Sequence, residues 1–420
     1  MDQGNTAFLL ICAALVLLMT PGLAFFYGGL VKAKSVISMM MLSFGAIGLI
    51  GVLWVLYGYA ITFANNVGID GLIGIDTGAI GLANLLEVPE GAAFPPLAFA
   101  AFQATFAIIT VALISGAIAD RAKFGAWMVF AGVWATLVYF PVASWVFNFT
   151  LAEDGSFADG GWITYGLQET FGAGAIDFAG GTAVHINAGA AALALALVLG
   201  KRVGFAKGAH VPHNPPFVLL GAGLLWFGWF GFNAGSELAA DGVAALAFMN
   251  TIAAPAAALL AWLVVEKIKD GKPTSIGAAS GAVAGLVAIT PACASLTPGW
   301  AILLGILAGA LCALAVDLKF KLGFDDSLDV VGIHLVGGLI GTLYLGFFAT
   351  NVGLFTGGDA TQLLVQAIAA FTVMIYSFVM AYIIGFAIEK TMGFRVTEED
   401  ELAGIDPIVH GEAGYVLDAK

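Results

Sequence analysis

The sequence predicts an all-α polytopic membrane protein of eleven transmembrane helices, N-terminus outside and C-terminus in the cytoplasm. Three observations predict it. Of 420 residues, 60% are hydrophobic and 10% charged, against about 25% charged in an ordinary soluble domain. Eleven apolar stretches each reach the roughly 20 residues needed to span a bilayer core of about 30 Å. If those stretches alternate in direction, all 15 Lys and Arg residues fall on one side.

The stretches lie approximately at 7–31, 36–63, 95–119, 124–149, 176–200, 216–236, 243–265, 276–294, 299–317, 329–350 and 361–388. With the N-terminus outside, the inner segments are 32–35, 120–123, 201–215, 266–275, 318–328 and 389–420, and they hold every basic residue, from Lys32 to Lys420. The outer loops carry acids instead, among them Asp70, Asp76, Glu87, Glu90, Glu153, Asp154, Asp159, Glu169, Glu237, Asp241 and Asp359. Positive residues resist translocation, so this asymmetry sets the orientation, and an even number of spans would break it. A transmembrane β-barrel would show alternating segments of about ten residues, and none is present.

The formal charge of −13 belongs to loops and tail and excludes a nucleic-acid partner as its explanation. An acidic outer face either concentrates cations or simply keeps the outer loops soluble. Cys12, Cys293 and Cys312 fall inside spans, with neither a disulfide framework nor metal-ligand spacing. The first apolar run lacks a basic leader and exceeds a signal-peptide core, so it reads as a retained span. The chain therefore divides into a membrane body, 1–389, and a cytoplasmic tail, 390–420, expected to regulate it. Gly277, Gly281 and Gly285, like Gly305 and Gly309, repeat at four-residue spacing, which lets helices approach closely in lipid.

Spans one to five and six to ten form two halves. An odd number inverts the second half relative to the first, a recurrent transporter design with the pathway at the interface. The last span of each half carries an acid and a histidine: Asp177 with His185, and Asp329 with His334. At 1.5 Å per residue His185 lies roughly 12 Å inward from Asp177, and His334 roughly 8 Å outward from Asp329. Both histidines therefore approach mid-membrane. Ionisable residues there are costly and mark pathways or relays, the alternative being a satisfied contact between helices. Imidazole suits a narrow pore, because each ring nitrogen can donate or accept and adjacent rings can share a proton. A metal site would need further ligands, which do not accompany the pair. Asp177 and Asp329 either stabilise a cation or cap their helices, with capping favoured, most strongly for Asp329.

Span six ends Trp-Phe-Gly-Trp-Phe-Gly-Phe-Asn-Ala-Gly-Ser over 226–236, which puts Phe232 and Ser236 at its outer end; span three holds Phe102–Phe106 in its outer half. Span four finishes with Trp145 and Phe147. Aromatic faces attract small cations, while an interfacial aromatic belt is the plainer reading, above all for Trp145.

The segments Pro21–Gly29, Asp177–Gly189, Phe230–Ser236 and Asp325–Asp329 leading to His334 resemble those of the ammonium transporter (Amt/Rh) family, from span one into the tail. The resemblance implies a transporter of ammonium, with methylammonium as analogue, and not an enzyme. It implies that His185 and His334 are a twin-histidine pair in the pore, Phe106 and Phe232 a stacked gate, and Ser236 the hydroxyl of an outer ammonium site served by Asp177. It also implies a homotrimer in the cell membrane and a PII-type signalling protein on its cytoplasmic face. Many bacterial relatives place Trp over the outer site where this sequence has Phe147, a weaker cation–π surface, and Trp145 is the alternative occupant. The resemblance continues through Gly393 to His410-Gly411-Glu412. The acidic run Glu398–Glu401 reads as a solvated face by itself; a docked tail would use Arg121, Lys123, Lys201 and Arg202 as basic partners and Phe394, Leu402 and Ile405 as apolar ones. An ammonium sensor built on the same body is the competing function; a urea or water channel fits the paired histidines poorly.

Overall fold

The computed structural model describes residues 1–63, 68–152, 156–205 and 211–415. Glu153, Asp154, Lys207, His210 and Lys420, which enter the charge pattern and histidine placement above, lie outside the described residues. The long helices are α1 (Gln3–Leu30), α2 (Ala33–Thr62), α3 (Pro96–Ile118), α4 (Phe124–Phe147), α5 (Gly181–Leu199), α6 (Pro215–Glu237), α7 (Gly242–Lys269), α8 (Ser275–Ile289), α9 (Pro298–Leu322), α10 (Val331–Phe348) and α11 (Ala360–Thr391). Among the described residues ten of these are long and apolar enough to cross a membrane; α8, with 15 residues, is the shorter one. At 1.5 Å per residue it covers roughly 22 Å, and the rest of the expected stretch 276–294 continues as turns from Thr290.

Local chemistry sets the helix ends. Asp2 accepts the Asn5 N–H at the start of α1, Asp241 those of Val243 and Ala244 at α7, and Asp359 that of Thr361 at α11. Each satisfies donors that a helix start leaves unpaired. Pro96, Pro215 and Pro298 stand in the first turns of α3, α6 and α9, where no intrahelical donor is lost. The small residues behave as their spacing predicts: Gly281 and Gly285 of α8 and Gly305 and Gly309 of α9 all lie against α7.

The N-terminus and the tail segment after α11 occupy opposite ends of α1. The Asp2 N–H donates to the Ala93 carbonyl, and Asn5 accepts the Ala240 N–H. The tail gathers instead around the segments after α1 and α3, with Lys123 N–H donating to the Phe394 carbonyl and Val396 N–H to that of Arg121. Beside it Arg121, fully buried, donates to Ser327 Oγ and the Asp325 carbonyl, while Arg202 grips the Asp325 carboxylate through Nε and Nη2, both at 2.9 Å. Burial alone would raise the Asp325 carboxyl, but the Arg202 hydrogen bonds and the Arg121 charge hold it below the usual carboxylate range. This network ties three inter-helix segments into one platform under the tail.

At the other end, two short antiparallel hairpins decorate the bundle: β1 (Gly68–Ile69) with β2 (Ile73–Gly74), and β3 (Phe149–Leu151) with β4 (Phe157–Gly160). Gln366 of α11 holds the Ile176 backbone through both its amide groups, at 2.6 and 2.8 Å. The stretch before α5 is thereby extended, so α5 begins at Gly181 and not at the expected 176.

Candidate functional site

His185 and His334 meet inside the bundle. Their Nδ1 atoms are 3.2 Å apart and their rings nearly parallel, with centroids 5.3 Å apart at 22°. Both are essentially buried, at 1% and 3% exposure. Each lies in a π-helical first turn, Gly181–Ile186 of α5 and Val331–Leu335 of α10, a widened geometry that recurs at functional sites. Four residues beyond each histidine stands a glycine that brings the helices together. A Cβ at Gly189 would lie 2.4 Å from the Leu335 nitrogen, and one at Gly338 would lie 3.2 Å from the His185 Cβ.

The matching acids are Asp177 and Asp326, which corrects the expectation that Asp329 pairs with His334. Each lies eight residues before its histidine, so Asp-x7-His-x3-Gly occurs twice, at 177–189 and 326–338. Asp177 accepts the backbone N–H groups of Gly180, Gly181, Thr182 and Ala183 and the Thr182 hydroxyl. Asp326 accepts the Val331 N–H at 2.7 Å. Burial pushes the Asp326 carboxyl up to about 6, against the lowering pull of Lys319. Asp329, with φ of +64°, caps nothing: its carboxylate pairs with Lys319 at 2.5 Å. The sequence contained this register, but the later acid of the Asp-Asp-Ser-Leu-Asp run lay nearer the apolar stretch and masked it.

Above the histidines a cavity of about 360 Å³ opens, lined by Phe106, Phe147, Asp177, Ser236, Gln103 and Glu237 among others. The structure thus brings together every residue expected at the outer site. Ser236 Oγ donates to the Phe232 carbonyl at 2.8 Å, which leaves its lone pairs to accept. Phe147 presents to Phe106 edge-on at 6.2 Å. Trp145 faces elsewhere: its indole N–H donates to the Leu72 carbonyl, and its ring packs on Trp162 and Tyr376. Between this mouth and the histidines, Phe106 and Phe232 stack at 4.1 Å and 21°, both buried.

Below the stack lies a cavity of only about 10 Å³, at the limit for a single water-sized molecule. Its walls are apolar side chains such as Leu23, Ile109, Leu225 and Val283, with the two imidazoles. Trp229, which sequence reading passed over, stacks on His185 at 5.5 Å and anchors its N–H on Thr290 Oγ. If one Nδ1 donates to the other, neutral tautomers leave one Nε2 as donor and one as acceptor. His185 Nε2 is buried without a hydrogen-bond partner. Toward the tail a wider cavity of about 530 Å³ follows, lined by Lys32, Arg202, Lys319 and Asp329 among others.

The tail is docked, though not by the charge pairs expected. Phe394, Ile405 and Val396 are buried, whereas Leu402 is 65% exposed. Glu401 pairs with Arg395 of the tail itself at 2.7 Å and accepts the Val203 N–H. Asp406 accepts the Ile37 and Ser38 N–H groups at the start of α2. The run Glu398–Asp400 lies outward, so backbone donors and the tail's own Arg395, and not Arg121, Lys123, Lys201 or Arg202 side chains, hold the buried acids Glu401 and Asp406.

The family model described as Ammonium Transporter Family matches residues 7–415. An ammonium transporter of Mycobacterium tuberculosis (strain ATCC 25618 / H37Rv) is 54% identical over 441 residues, covering 99% of this chain and 90% of the relative. One from Bacillus subtilis (strain 168) is 44% identical and covers 99% of each. Among solved structures, a protein described as Sensor Amt Protein superposes with TM-score 0.87 at 28% identity, covering 97% of this chain and 98% of that one. Saccharomyces cerevisiae Mep2 gives TM-score 0.83 at 34% identity, covering 95% and 88%. The curated relatives are named as transporters and not as enzymes, and with ten long apolar helices among its described residues this multi-pass membrane protein belongs to the Ammonium Transporter Family.

Proposed function

We propose that this protein recruits NH₄⁺ at the outer mouth, deprotonates it and conducts NH₃ past the paired histidines. The observation that carries the reading is the narrow cavity beneath the Phe106/Phe232 stack, apolar except for two imidazoles in hydrogen-bond contact. Stripping a cation of water in such a passage is very costly, whereas neutral ammonia is of water's size and can exchange hydrogen bonds with one imidazole donor and one acceptor. Phe106, Phe147 and Ser236 hold the cation outside. Asp177 has its oxygens occupied by backbone donors, so it acts there through charge and by fixing the start of α5. His185 and His334 relay a proton or hold the passing molecule, and Asp329 lies at the inner opening. Uptake of methylammonium into proteoliposomes tests the reading. An accompanying ammonium-evoked current assigns a relayed proton; electroneutral uptake assigns NH₃ alone. No uptake at all, from protein that is folded and inserted, would refute conduction.

The sensor reading draws support from the solved neighbour described as a sensor. Ammonium binding without flux would favour it.

The same proposal takes α8 as the eleventh span and sets the N-terminus outside in the cell membrane. In support, the N-terminus and the docked tail lie at opposite ends of α1, and described basic residues such as Lys32, Arg202 and Lys319 lie on the tail's side. Residues 1–389 then form the transport body of a homotrimer, and 390–420 a regulatory tail on the face where a PII-type signalling protein would bind. Truncation after Thr391 is expected to lower uptake, because it removes the Phe394 and Asp406 contacts to the segments after α3 and α1. Gly393, at φ of +70°, should show the same loss when changed to Val. Equal flux from full-length and truncated protein in matched vesicles would make the tail a passive appendage.

Phe147→Trp is expected to lower the half-saturation concentration for uptake, since Trp has the stronger cation–π face. The gain should stay under tenfold, which would require about 1.4 kcal/mol. An unchanged value removes Phe147 from the site.

A further inference from the structure

The β3–β4 hairpin over the outer mouth has no role in the pathway described so far, yet three of its apolar side chains, Phe149, Leu151 and Phe157, line the same cavity as Phe147 and Ser236. Phe149 is 40% exposed and Leu151 57%. The hairpin is built to hold these rings in place. Phe149 and Phe157 meet edge-to-face at 5.0 Å, and the Gln168 carboxamide grips Phe157 from both sides, accepting its N–H at 3.1 Å and donating to its carbonyl at 2.8 Å. The Phe157 ring rests directly on Gly174, where a Cβ would lie 2.6 Å from it. A paired polar clamp and a glycine seat are more than a loop needs merely to cross between α4 and α5.

The cavity of about 360 Å³ falls in the range of sites for organic ligands, roughly 300–1,000 Å³, and is far larger than the passage beneath the gate. Its upper walls are aromatic, its floor carries Ser236, and Asp177 and Glu237 border it. Rings around a cavity with acids nearby are the chemistry that recognises alkylated ammonium ions, whose methyl groups spread the charge and pack against aromatic faces.

We propose that Phe149 and Phe157 form a second, more superficial cation station that selects for alkyl-substituted ammonium ions and holds them above the gate. This rests on the transport reading for its route inward but not for the binding itself. Methylammonium binds the station and proceeds. A fully methylated ion binds there and stops, because it has no N–H to offer Ser236 or the histidines and is too large for the narrow passage.

The test uses tetramethylammonium with the full-length protein in proteoliposomes. Competitive inhibition of methylammonium uptake is expected in the parent and should weaken in Phe149→Leu and Phe157→Leu, which keep apolar bulk but remove the π face. In those variants the half-saturation concentration for methylammonium should rise roughly two- to fivefold, the range of an exposed cation–π contact, with maximal rate unchanged and ammonium less affected. Phe157→Tyr should restore the parental values. In parallel, tetramethylammonium should raise the thermal midpoint of the parent in detergent, and not that of the Leu variants, a readout independent of transport. Inhibition and thermal shift identical in parent and Leu variants would overturn the station while leaving conduction intact. Absent uptake with a ring-dependent thermal shift would overturn conduction and leave the station.

Discussion

His185→Ala and His334→Ala are each expected to abolish methylammonium uptake or to change what permeates, while the protein still folds and inserts. Each substitution removes one ring from a pair whose Nδ1 atoms are 3.2 Å apart and leaves the other nitrogen buried without its partner, a cost of about 1–3 kcal/mol. It also replaces a cavity of about 10 Å³ by a wider one that holds water. Water in the passage removes the penalty that excludes ions, so loss of ammonia flux and gain of K⁺ or Na⁺ leak are the two faces of one defect. His→Asn separates them: it keeps bulk and a donor and acceptor, but cannot carry a proton. Uptake and valinomycin-free K⁺ leak measured in the same vesicles decide the matter, and parental rate with parental selectivity in both Ala variants would end the twin-histidine mechanism.

Much of this site could be read from the chain because membrane insertion leaves few polar residues to choose among. Two histidines in apolar stretches, at matched places in the two expected halves, stand out against leucine and alanine, and the structure brings them together. The aromatic runs around Phe106 and Phe232 were equally visible, but their stacking depends on how α3 and α6 cross, which hydropathy does not specify. The Asp326 register was missed because three acids compete in five residues, and only the fold shows which carboxylate reaches a helix start. Leu402 looked like an anchor by composition; the direction a residue faces in a one-turn helix depends on neighbours far along the chain, here Arg395 and Val203 around Glu401. The outer hairpin left no trace in the reading, since short strands between long apolar spans have too few residues to establish a period.

Asp177→Ala is expected to give the second large effect, lowering both thermal stability and transport. Four backbone N–H groups and one hydroxyl converge on this carboxylate, which is only 9% exposed. Without it the first turn of α5 keeps donors that no carbonyl can satisfy, because an α-helix start always leaves such groups unpaired. Each costs about 1–3 kcal/mol when buried, although water entering from the outer cavity offsets part of that. The damage is local to transport as well, for His185 lies in that same first turn of α5. Asp177→Asn separates architecture from charge. It retains the shape and one acceptor oxygen, but its amide hydrogens now face donors, and the negative charge beside the outer site is gone. Uptake should fall at least tenfold, equivalent to about 1.4 kcal/mol, with a thermal midpoint closer to the parent than that of Asp177→Ala. A shortened carboxylate cannot be had, so Asp177→Glu supplies the control: the charge is kept and the cap displaced. If Glu transports better than Asn, charge dominates; if Asn exceeds Glu, the cap does. An Asp177→Ala protein with parental stability and parental uptake would show that neither contribution reaches the pathway.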